Sequence, residues 1–173
     1  MSSATVMLSG GQDSTTCLYW ALKEFNHVDA IGFDYGQKHL IELEAAQEIC
    51  HNLSISYTVI DLKGVFVNSS LVDSQQDVSA QHTINPDLPS SFTAGRNAVF
   101  LSVTAGLAYN KKINNIVTGV CQTDYSGYPD CRRIFIDSIE KSMSLALDSE
   151  IKIHTPLMYL TKAETWKMAK DLG

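Results

Sequence analysis

The sequence predicts an α/β protein built on a Rossmann-like, doubly wound parallel sheet of five strands in the order 3-2-1-4-5. Short apolar segments rich in β-forming residues alternate with longer segments of helical periodicity, and strands separated by helices form parallel sheets covered on both faces. A Gly-Gly pair at residues 10–11 stands between the first strand and the first helix. Ligands of such sheets bind where the strand order reverses, here between the first and fourth strands.

Strands and helices are predicted in turn along the chain. Apolar, β-rich segments predict five strands at residues 5–8, 29–33, 57–60, 115–118 and 150–154. Helical periodicity predicts four helices at residues 14–25, 39–52, 97–111 and 132–147. A fifth helix is expected to open at Thr161, because Thr161 and Glu164 have the spacing of a capping box.

Length and composition favour one globular domain over residues 1–173. The chain is 45% hydrophobic and 18% charged, which is ordinary for a soluble protein. No apolar run approaches the roughly 18 residues of a membrane span, and the early first strand leaves no room for a signal peptide. A net charge of −6 argues against nucleic-acid binding. We therefore expect a cytoplasmic protein with neither a nucleic acid nor a membrane as partner.

Residues 63–95 interrupt this alternation. The segment is rich in Ser, Asp, Gln, Asn and Pro and contains no long periodic element. A loop of this length inside a compact domain is usually functional or disordered. We predict a flexible loop that serves either as a flap over the site or as an arm that contacts a partner.

The cysteines and histidines predict no metal site. The four cysteines include no C-x-x-C pair, and the five histidines form no readable ligand cluster. Cys17 and Cys50 fall on apolar helix faces and are expected to be buried thiols. Cys121 lies close to the loop at residues 124–132 and Cys131 lies within it. A structural role is favoured for both cysteines.

The segment Ser-Gly-Gly-Gln-Asp-Ser at residues 9–14 is the most informative part of the chain. Two glycines between a strand and a helix let backbone N–H groups converge on one anion, and the helix N-terminus adds positive charge. The Walker motif is excluded because no lysine occurs between Met1 and Lys23, and the dinucleotide motif because the glycines are adjacent. The segment predicts a phosphate site; the plain alternative is a solvated turn capped by Asp13 or Ser14.

Three further segments lie at predicted strand ends or helix starts on the same edge of the sheet. They are F-D-Y-G-Q at residues 33–37, G-R-N at 95–97 and T-G-V at 118–120, which runs into residues 124–132. Arg96 at a helix start suits bidentate contact with a phosphate. Residues 124–132 concentrate aromatic, acidic and arginine side chains, which suits a planar ligand that forms hydrogen bonds.

The loop S-G-G-x-D-S resembles the PP-loop of the ATP pyrophosphatases, which cleave ATP to AMP and pyrophosphate. With the other motifs, the chain resembles the QueC family, the 7-cyano-7-deazaguanine synthases of queuosine biosynthesis. The matching motifs cover nearly the whole chain in the family's order: S-G-G-Q-D-S-T-T-C at 9–17, F-D-Y-G-Q at 33–37, G-R-N at 95–97, T-G-V-C at 118–121, Y-S-G-Y-P-D-C-R at 125–132, T-P-L-M at 155–158 and K-A-E-T-W at 162–166.

The resemblance implies an adenine nucleotide alpha hydrolase-like fold and a ligase that forms carbon–nitrogen bonds. ATP would adenylate the carboxylate of 7-carboxy-7-deazaguanine, ammonia would give the amide, and a second adenylation would leave the nitrile. Such chemistry depends mainly on positioning and charge neutralisation. The resemblance further implies ATP and Mg²⁺ as cofactors, a small-molecule substrate with ammonia, and a homodimer.

The same resemblance implies roles for individual residues. Catalytic roles fall to Asp13, Ser14 and Arg96, with Asp13 helping to place Mg²⁺. The nucleotide is expected to contact the PP-loop and three residues beyond it: Leu8, Ser9, Gly10, Gly11, Gln12, Asp13, Ser14, Thr15, Thr16, Cys17, Leu18, Asp34, Arg96 and Gly119. The deazaguanine is expected to contact residues of two loops: Tyr35, Gln37, Tyr125, Tyr128, Asp130 and Arg132.

Several of these assignments keep an alternative. Asp34 serves the nucleotide or caps a turn, and Arg96 balances phosphate charge or forms a surface ion pair. Tyr125 and Tyr128 stack on the base or pack within their loop. Arg132 faces the substrate carboxylate or starts its helix.

The chain departs from the family pattern at two places. Ala94 stands where the family has a proline before G-R-N, which removes a restraint on φ without removing a functional group. The family continues beyond this C-terminus into a C-x-x-C-x-x-C segment that binds structural Zn²⁺. No such cluster occurs here, so we expect a fragment of a longer product and assign no zinc ligand.

The sequence is also compatible with other functions. Another PP-loop ligase would adenylate a different carboxylate or a protein terminus, whereas a tRNA-modifying enzyme would show a basic face and often a C-x-x-C pair. A non-catalytic ATP-binding module would bind ATP and release neither AMP nor pyrophosphate.

Overall fold

The computed structural model describes residues 2–37, 41–66, 92–123 and 127–173. Within these residues five strands form one parallel sheet in the order β3-β2-β1-β4-β5, which confirms the predicted fold class and strand order. The strands are β1 (Ser3–Met7), β2 (His27–Asp34), β3 (Tyr57–Asp61), β4 (Asn115–Val117) and β5 (Lys152–His154).

Five helices cover the two faces of the sheet. They are α1 (Gln12–Glu24), α2 (Ile41–Asn52), α3 (Arg96–Asn110), α4 (Arg133–Ala146) and α5 (Lys162–Leu172). Side chains alternate along a strand, so Val6 of β1 packs with apolar residues of α1 and α2, whereas Met7 packs with those of α3 and α4. Helix α5 joins the first face through Met168. The helices cover the two faces of the sheet, so the predicted site is expected at the edge formed by the carboxyl ends of β1 and β4.

Most predicted boundaries differ from the structure by one or two residues, and three of the differences have identifiable reasons. Helix α1 begins at Gln12 because extended Gly11 is its N-cap, so neither Asp13 nor Ser14 caps the turn. Strand β5 begins at Lys152 and not at residue 150, since the N–H of Ile151 donates to Ser144 Oγ (3.0 Å). Helix α4 begins one residue after Arg132, which is its extended N-cap.

Several sequence predictions about single residues are confirmed. Cys17 and Cys50 are buried, and burial raises the pKa of both thiols, that of Cys50 to about 11. Thr161 and Glu164 form the predicted capping box at the start of α5. Of the predicted loop at 63–95, residues 67–91 lie outside the described part of the chain. None of the helices described is long and apolar enough to cross a membrane.

Candidate active site

The Gly-Gly turn packs directly against helix α2. Gly10 has a φ of +91°, and a Cβ built on it would overlap the carbonyl oxygen of Glu42. Only glycine adopts this conformation without strain and permits this contact. Gly11 is different, because its backbone is extended and a Cβ would meet only Ser9 Oγ at 3.4 Å. The loop therefore needs glycine for its shape at Gly10.

Two hydroxyl groups hold the PP-loop closed onto the first turn of α1. The N–H of Ser9 donates to Ser14 Oγ (3.2 Å), the two hydroxyls are 3.1 Å apart, and Ser14 Oγ donates to the carbonyl of Gly11 (3.0 Å). Gln12 Nε2 and Thr15 Oγ1 are buried and have no hydrogen-bond partner in the described part of the chain. Buried polar atoms are normally paired, so this loop has unused hydrogen-bonding capacity.

Gly119 brings the segment after β4 against the same helix end. A Cβ at Gly119 would lie 3.2 Å from the backbone nitrogen of Ser14 and 3.3 Å from the carbonyl oxygen of Asp13. Any side chain there would push the two segments apart. The close approach explains why glycine stands at this position of the predicted nucleotide site.

A cavity of about 330 Å³ opens at the carboxyl ends of β1, β2 and β4, where the strand order reverses. It brings together nine of the residues predicted for the site: Leu8, Ser9, Asp13, Ser14, Tyr35, Gln37, Arg96, Gly119 and Tyr128. Thr16, Cys17 and Leu18 are buried behind the loop. Tyr125 lies outside the described residues. One end of the cavity is thus lined by residues of the loop at 9–14, and the other end by residues that were predicted to contact the deazaguanine.

A wall of aromatic side chains forms part of this cavity, and of its members Tyr35 was predicted for the site whereas Phe33, Phe66 and Phe100 were not. The rings of Phe33 and Phe100 stack with centroids 4.2 Å apart at 5°. Phe66 packs edge-on against Phe100 and Tyr35, and the Tyr35 ring is tilted by 53° to Phe100. Arg96 donates to the Tyr35 hydroxyl (3.4 Å), and its guanidinium carbon is 5.9 Å from the ring centroid. An aromatic wall beside a guanidinium suits a flat ring that carries negative charge.

Asp34 and Gln37 shape the turn after β2. Asp34 Oδ1 accepts from the N–H of Gly36 (3.1 Å), and Oδ2 pairs with Lys63 Nζ (2.7 Å). The hydrogen bond from Lys63 holds the pKa of the Asp34 carboxyl below its usual value. Gln37 accepts from the N–H of Tyr35 (2.9 Å). The turn-capping alternative for Asp34 is thus the one that this geometry favours, since Asp34 does not line the cavity.

Asp130 and Arg132 are not among the residues that line the cavity. Asp130 is 7% exposed, and its Oδ2 accepts from the N–H of Asn97 at the start of α3 (3.0 Å). Asn97 Nδ2 donates back to the carbonyl of Asp130 (3.3 Å). Arg132 is exposed at the start of α4. Asp130 thus caps α3 and Arg132 precedes α4 as its N-cap, and the substrate contacts predicted for both residues stay predictions.

Cys131 and Asn97 line the cavity although neither was assigned a role at the site. The sulfur of Cys131 accepts from Asn97 Nδ2 (3.4 Å), so the two residues join the loop to α3. Asn97 follows Arg96 in the G-R-N motif. Arg96 and Phe100 are four residues apart in α3, and this helical spacing places Arg96 and Phe100 on one face of the helix. That spacing relates Phe100 to Arg96 but does not by itself distinguish Phe100 from an ordinary core residue.

Solved structures with the same fold define the class of protein. A predicted subunit of a tRNA methyltransferase from Methanocaldococcus jannaschii superposes with a TM-score of 0.60 at 19% identity, covering 98% of this chain and 75% of that one. A 4-thiouridine synthetase in an RNA complex with bound ATP gives 0.62 at 17% identity, covering 99% and 41%. Fold and site together define an α/β protein with a parallel five-stranded sheet and a PP-loop-type segment at residues 9–14.

Sequence comparison identifies the family within that class. The family described as "Queuosine biosynthesis protein QueC" matches residues 3–173, and the chain belongs to it. Proteins named 7-cyano-7-deazaguanine synthase from two Clostridium botulinum strains, ATCC 19397 and Loch Maree, are 49% and 48% identical. Each alignment covers 98% of this chain and 78% of the relative. The chain is therefore an enzyme of queuosine biosynthesis from an ATP-utilising family.

Proposed function

We propose that this enzyme converts 7-carboxy-7-deazaguanine and ammonia into 7-cyano-7-deazaguanine with two molecules of ATP. The substrate carboxylate attacks the α-phosphorus of ATP and releases pyrophosphate. Ammonia then displaces AMP and forms the C–N bond of the amide. The amide oxygen attacks the α-phosphorus of a second ATP and releases pyrophosphate, and loss of AMP and of both amide protons leaves the nitrile. Family membership supports the reaction, and the observation that carries it is one cavity joining a phosphate loop to an aromatic wall.

The nucleotide end of the cavity is assigned to the PP-loop. The first amides of a helix have no intrahelical acceptor and carry partial positive charge, and α1 presents them from Gln12 onward. Gln12 Nε2 and Thr15 Oγ1 are two of the five buried side-chain atoms without a hydrogen-bond partner in the described part of the chain, and their place in the first turn of α1 supports a bound polyanion there. In this assignment Ser9 and Ser14 hold the loop in shape for the pyrophosphate moiety.

The residues present fit Mg²⁺ and do not fit Zn²⁺. Magnesium is commonly held by one or two carboxylates together with substrate phosphates and water, and Asp13 presents a carboxylate at the cavity. Asp13 would hold the ion, which would neutralise charge on the pyrophosphate leaving group. In the described part of the chain no group of three His, Cys, Asp or Glu side chains has the geometry of a metal site, so no step is assigned to zinc.

The aromatic end of the cavity is assigned to the deazaguanine. Phe33, Phe100 and Tyr35 line this end of the cavity with aromatic rings, which supports a planar base there. Arg96 lies between this surface and the PP-loop, so its guanidinium is placed for the substrate carboxylate or the α-phosphate. Tyr128 lines the same cavity. The homodimer, the absence of a nucleic-acid partner, the cytoplasmic location and the single domain over 1–173 stay predictions.

The test is nucleotide release with ATP, Mg²⁺, an ammonium salt and 7-carboxy-7-deazaguanine, with mass spectrometry of the base. We expect AMP only when the acid is present, and two AMP for each nitrile formed. AMP without change in the base would redirect the proposal to another PP-loop ligase. Formation of ADP would contradict the mechanism, because cleavage would then occur at the γ-phosphorus.

A further inference from the structure

An ion pair joins the PP-loop to the start of helix α5. Lys162 Nζ donates to both carboxylate oxygens of Asp13, at 3.0 Å each. The two side chains are 61% and 33% exposed. They meet at a second cavity of about 220 Å³, which shares Asp13 and Cys121 with the main cavity. Lys162 therefore lies beside the site assigned to the phosphates, although it is far from the loop in sequence.

The phosphate end of the site needs cations that the PP-loop does not contain. No lysine or arginine precedes Lys23 in the chain. Among the described residues that line the two cavities, Arg96 and Lys162 are the side chains that carry a full positive charge. Arg96 contacts Tyr35 at the aromatic end and is assigned to the substrate carboxylate or the α-phosphate, whereas Lys162 contacts Asp13 of the PP-loop itself. Lys162 is thus the cation at the phosphate end, and a lysine binds phosphate as a compact point charge.

The geometry lets the Lys162 side chain change partner while its backbone stays fixed. The capping box of Thr161 and Glu164 holds the first turn of α5. The carbonyl of Leu160 accepts from Thr123 Oγ1 (2.6 Å), which fixes the preceding backbone to the loop after β4. An exposed ion pair contributes only about 0–1 kcal/mol. A polyanion can therefore displace Asp13 from Lys162 at little cost.

We propose that Lys162 binds the pyrophosphate moiety of ATP and releases Asp13 as the nucleotide enters, which frees the Asp13 carboxylate for Mg²⁺. In the nucleotide-free protein the same pair prevents Asp13 from repelling an incoming polyanion. The inference rests on the proposed function in one respect, that ATP phosphates bind at the PP-loop.

The first test is calorimetric titration of the 173-residue chain with inorganic pyrophosphate in EDTA. Lys162→Gln is compared with Lys167→Gln, an exposed lysine on the same helix whose loss changes the net charge equally. We expect at least about tenfold weaker binding for Lys162→Gln, a smaller loss for Lys162→Arg, and less than a twofold change for Lys167→Gln. Equal effects of the two glutamine variants would overturn the proposal.

The second test concerns the exchange of partners. Asp13→Asn should strengthen pyrophosphate binding in EDTA and weaken it with Mg²⁺, because the carboxylate competes in the first case and holds the ion in the second. In the Lys162→Gln background the gain in EDTA should shrink. An identical gain in both backgrounds would show that Asp13 acts without Lys162 and contradict the exchange. A wild-type protein that binds no pyrophosphate with or without Mg²⁺ would refute the proposed function as well.

Discussion

At the scale of single residues, three aspartates that look alike in the sequence have three different environments. Asp13 faces the cavity and pairs with Lys162. Asp34 closes the turn after β2 and pairs with Lys63. Asp130 is buried at the start of α3. Asp13 therefore has access to a ligand at the PP-loop, whereas Asp34 and Asp130 stabilise backbone segments that position ligand-facing side chains.

The two glycines of the PP-loop should differ sharply on substitution. Gly10→Ala forces a side chain into left-handed backbone and against the Glu42 carbonyl, so we expect a loss of about 2–3 kcal/mol in the free energy of unfolding. Gly11→Ala should cost less than about 1 kcal/mol, because its backbone is extended. Urea denaturation measures both. Equal losses would contradict this account of the loop.

The two arginines predicted for the site should also differ. Arg96→Ala removes the guanidinium from the cavity and should lower kcat/KM at least about 100-fold. Arg132→Ala changes an exposed N-cap residue and should change kcat/KM less than about threefold. Steady-state AMP release under the proposed reaction conditions measures both. A large loss at Arg132 would restore it to the substrate site.

At the scale of elements, helix α3 positions Arg96, and its start depends on a residue from another loop. Gly95 at the N-cap has no side chain to cap the helix and takes left-handed backbone with φ of 69°. Asp130 supplies the missing acceptor by binding the N–H of Asn97. The loop at 127–132 and α3 are thus held together at the edge of the cavity.

Removing this cap should destabilise the protein. Asp130→Ala leaves a buried N–H of α3 without its carboxylate, and we expect a loss of about 2 kcal/mol in the free energy of unfolding. Asp137→Ala is the control, because that carboxylate is 63% exposed in a pair with Arg133 and should matter by less than about 0.5 kcal/mol. Chemical denaturation distinguishes them, and similar losses would show that Asp130 does not act as a cap.

At the scale of the whole molecule, the stability of the fold should depend on pH through His154. This residue lies between Trp20 and Phe25 at the face covered by α1, and burial lowers its pKa from 6.5. Below that value the unfolded chain binds a proton that the native state resists, so stability falls as pH falls. The pKa values of the Asp34 and Glu164 carboxyl groups are also lowered, from 3.8 and 4.5. These two groups therefore change the free energy of unfolding only at pH values below 3.8 and 4.5, and not in the range where His154 acts.

We therefore expect the free energy of unfolding to decrease between about pH 7.5 and pH 5.5. His154→Gln keeps a polar group near Asn115, with which His154 Nε2 shares a hydrogen bond (3.0 Å), and removes the titrating ring. The variant should show a flatter profile over this range. A decrease that is unchanged in the variant would assign the pH dependence to other groups.

The fold followed from the sequence more completely than the site did. Strand order and the PP-loop depend on local patterns, namely alternating periodicity and two glycines at a strand end. The roles of Asp130 and Asp34 depend on contacts with Asn97 and Lys63, which are distant in sequence, so spacing could not reveal them. Phe100 was missed because an apolar residue on a helix is indistinguishable from ordinary core.

The packing of α1 and α5 on one face of the sheet has a practical consequence for spectroscopy. The chain contains two tryptophans; Trp20 lies in α1 and Trp166 in α5, where it is 60% exposed. Both helices begin beside the PP-loop, and the opposite face of the sheet contains only weaker emitters. Intrinsic fluorescence therefore reports selectively on this face of the sheet, where Trp20 packs against Phe25 and His154, so loosening of α1 or α5 can be followed on the unlabelled protein.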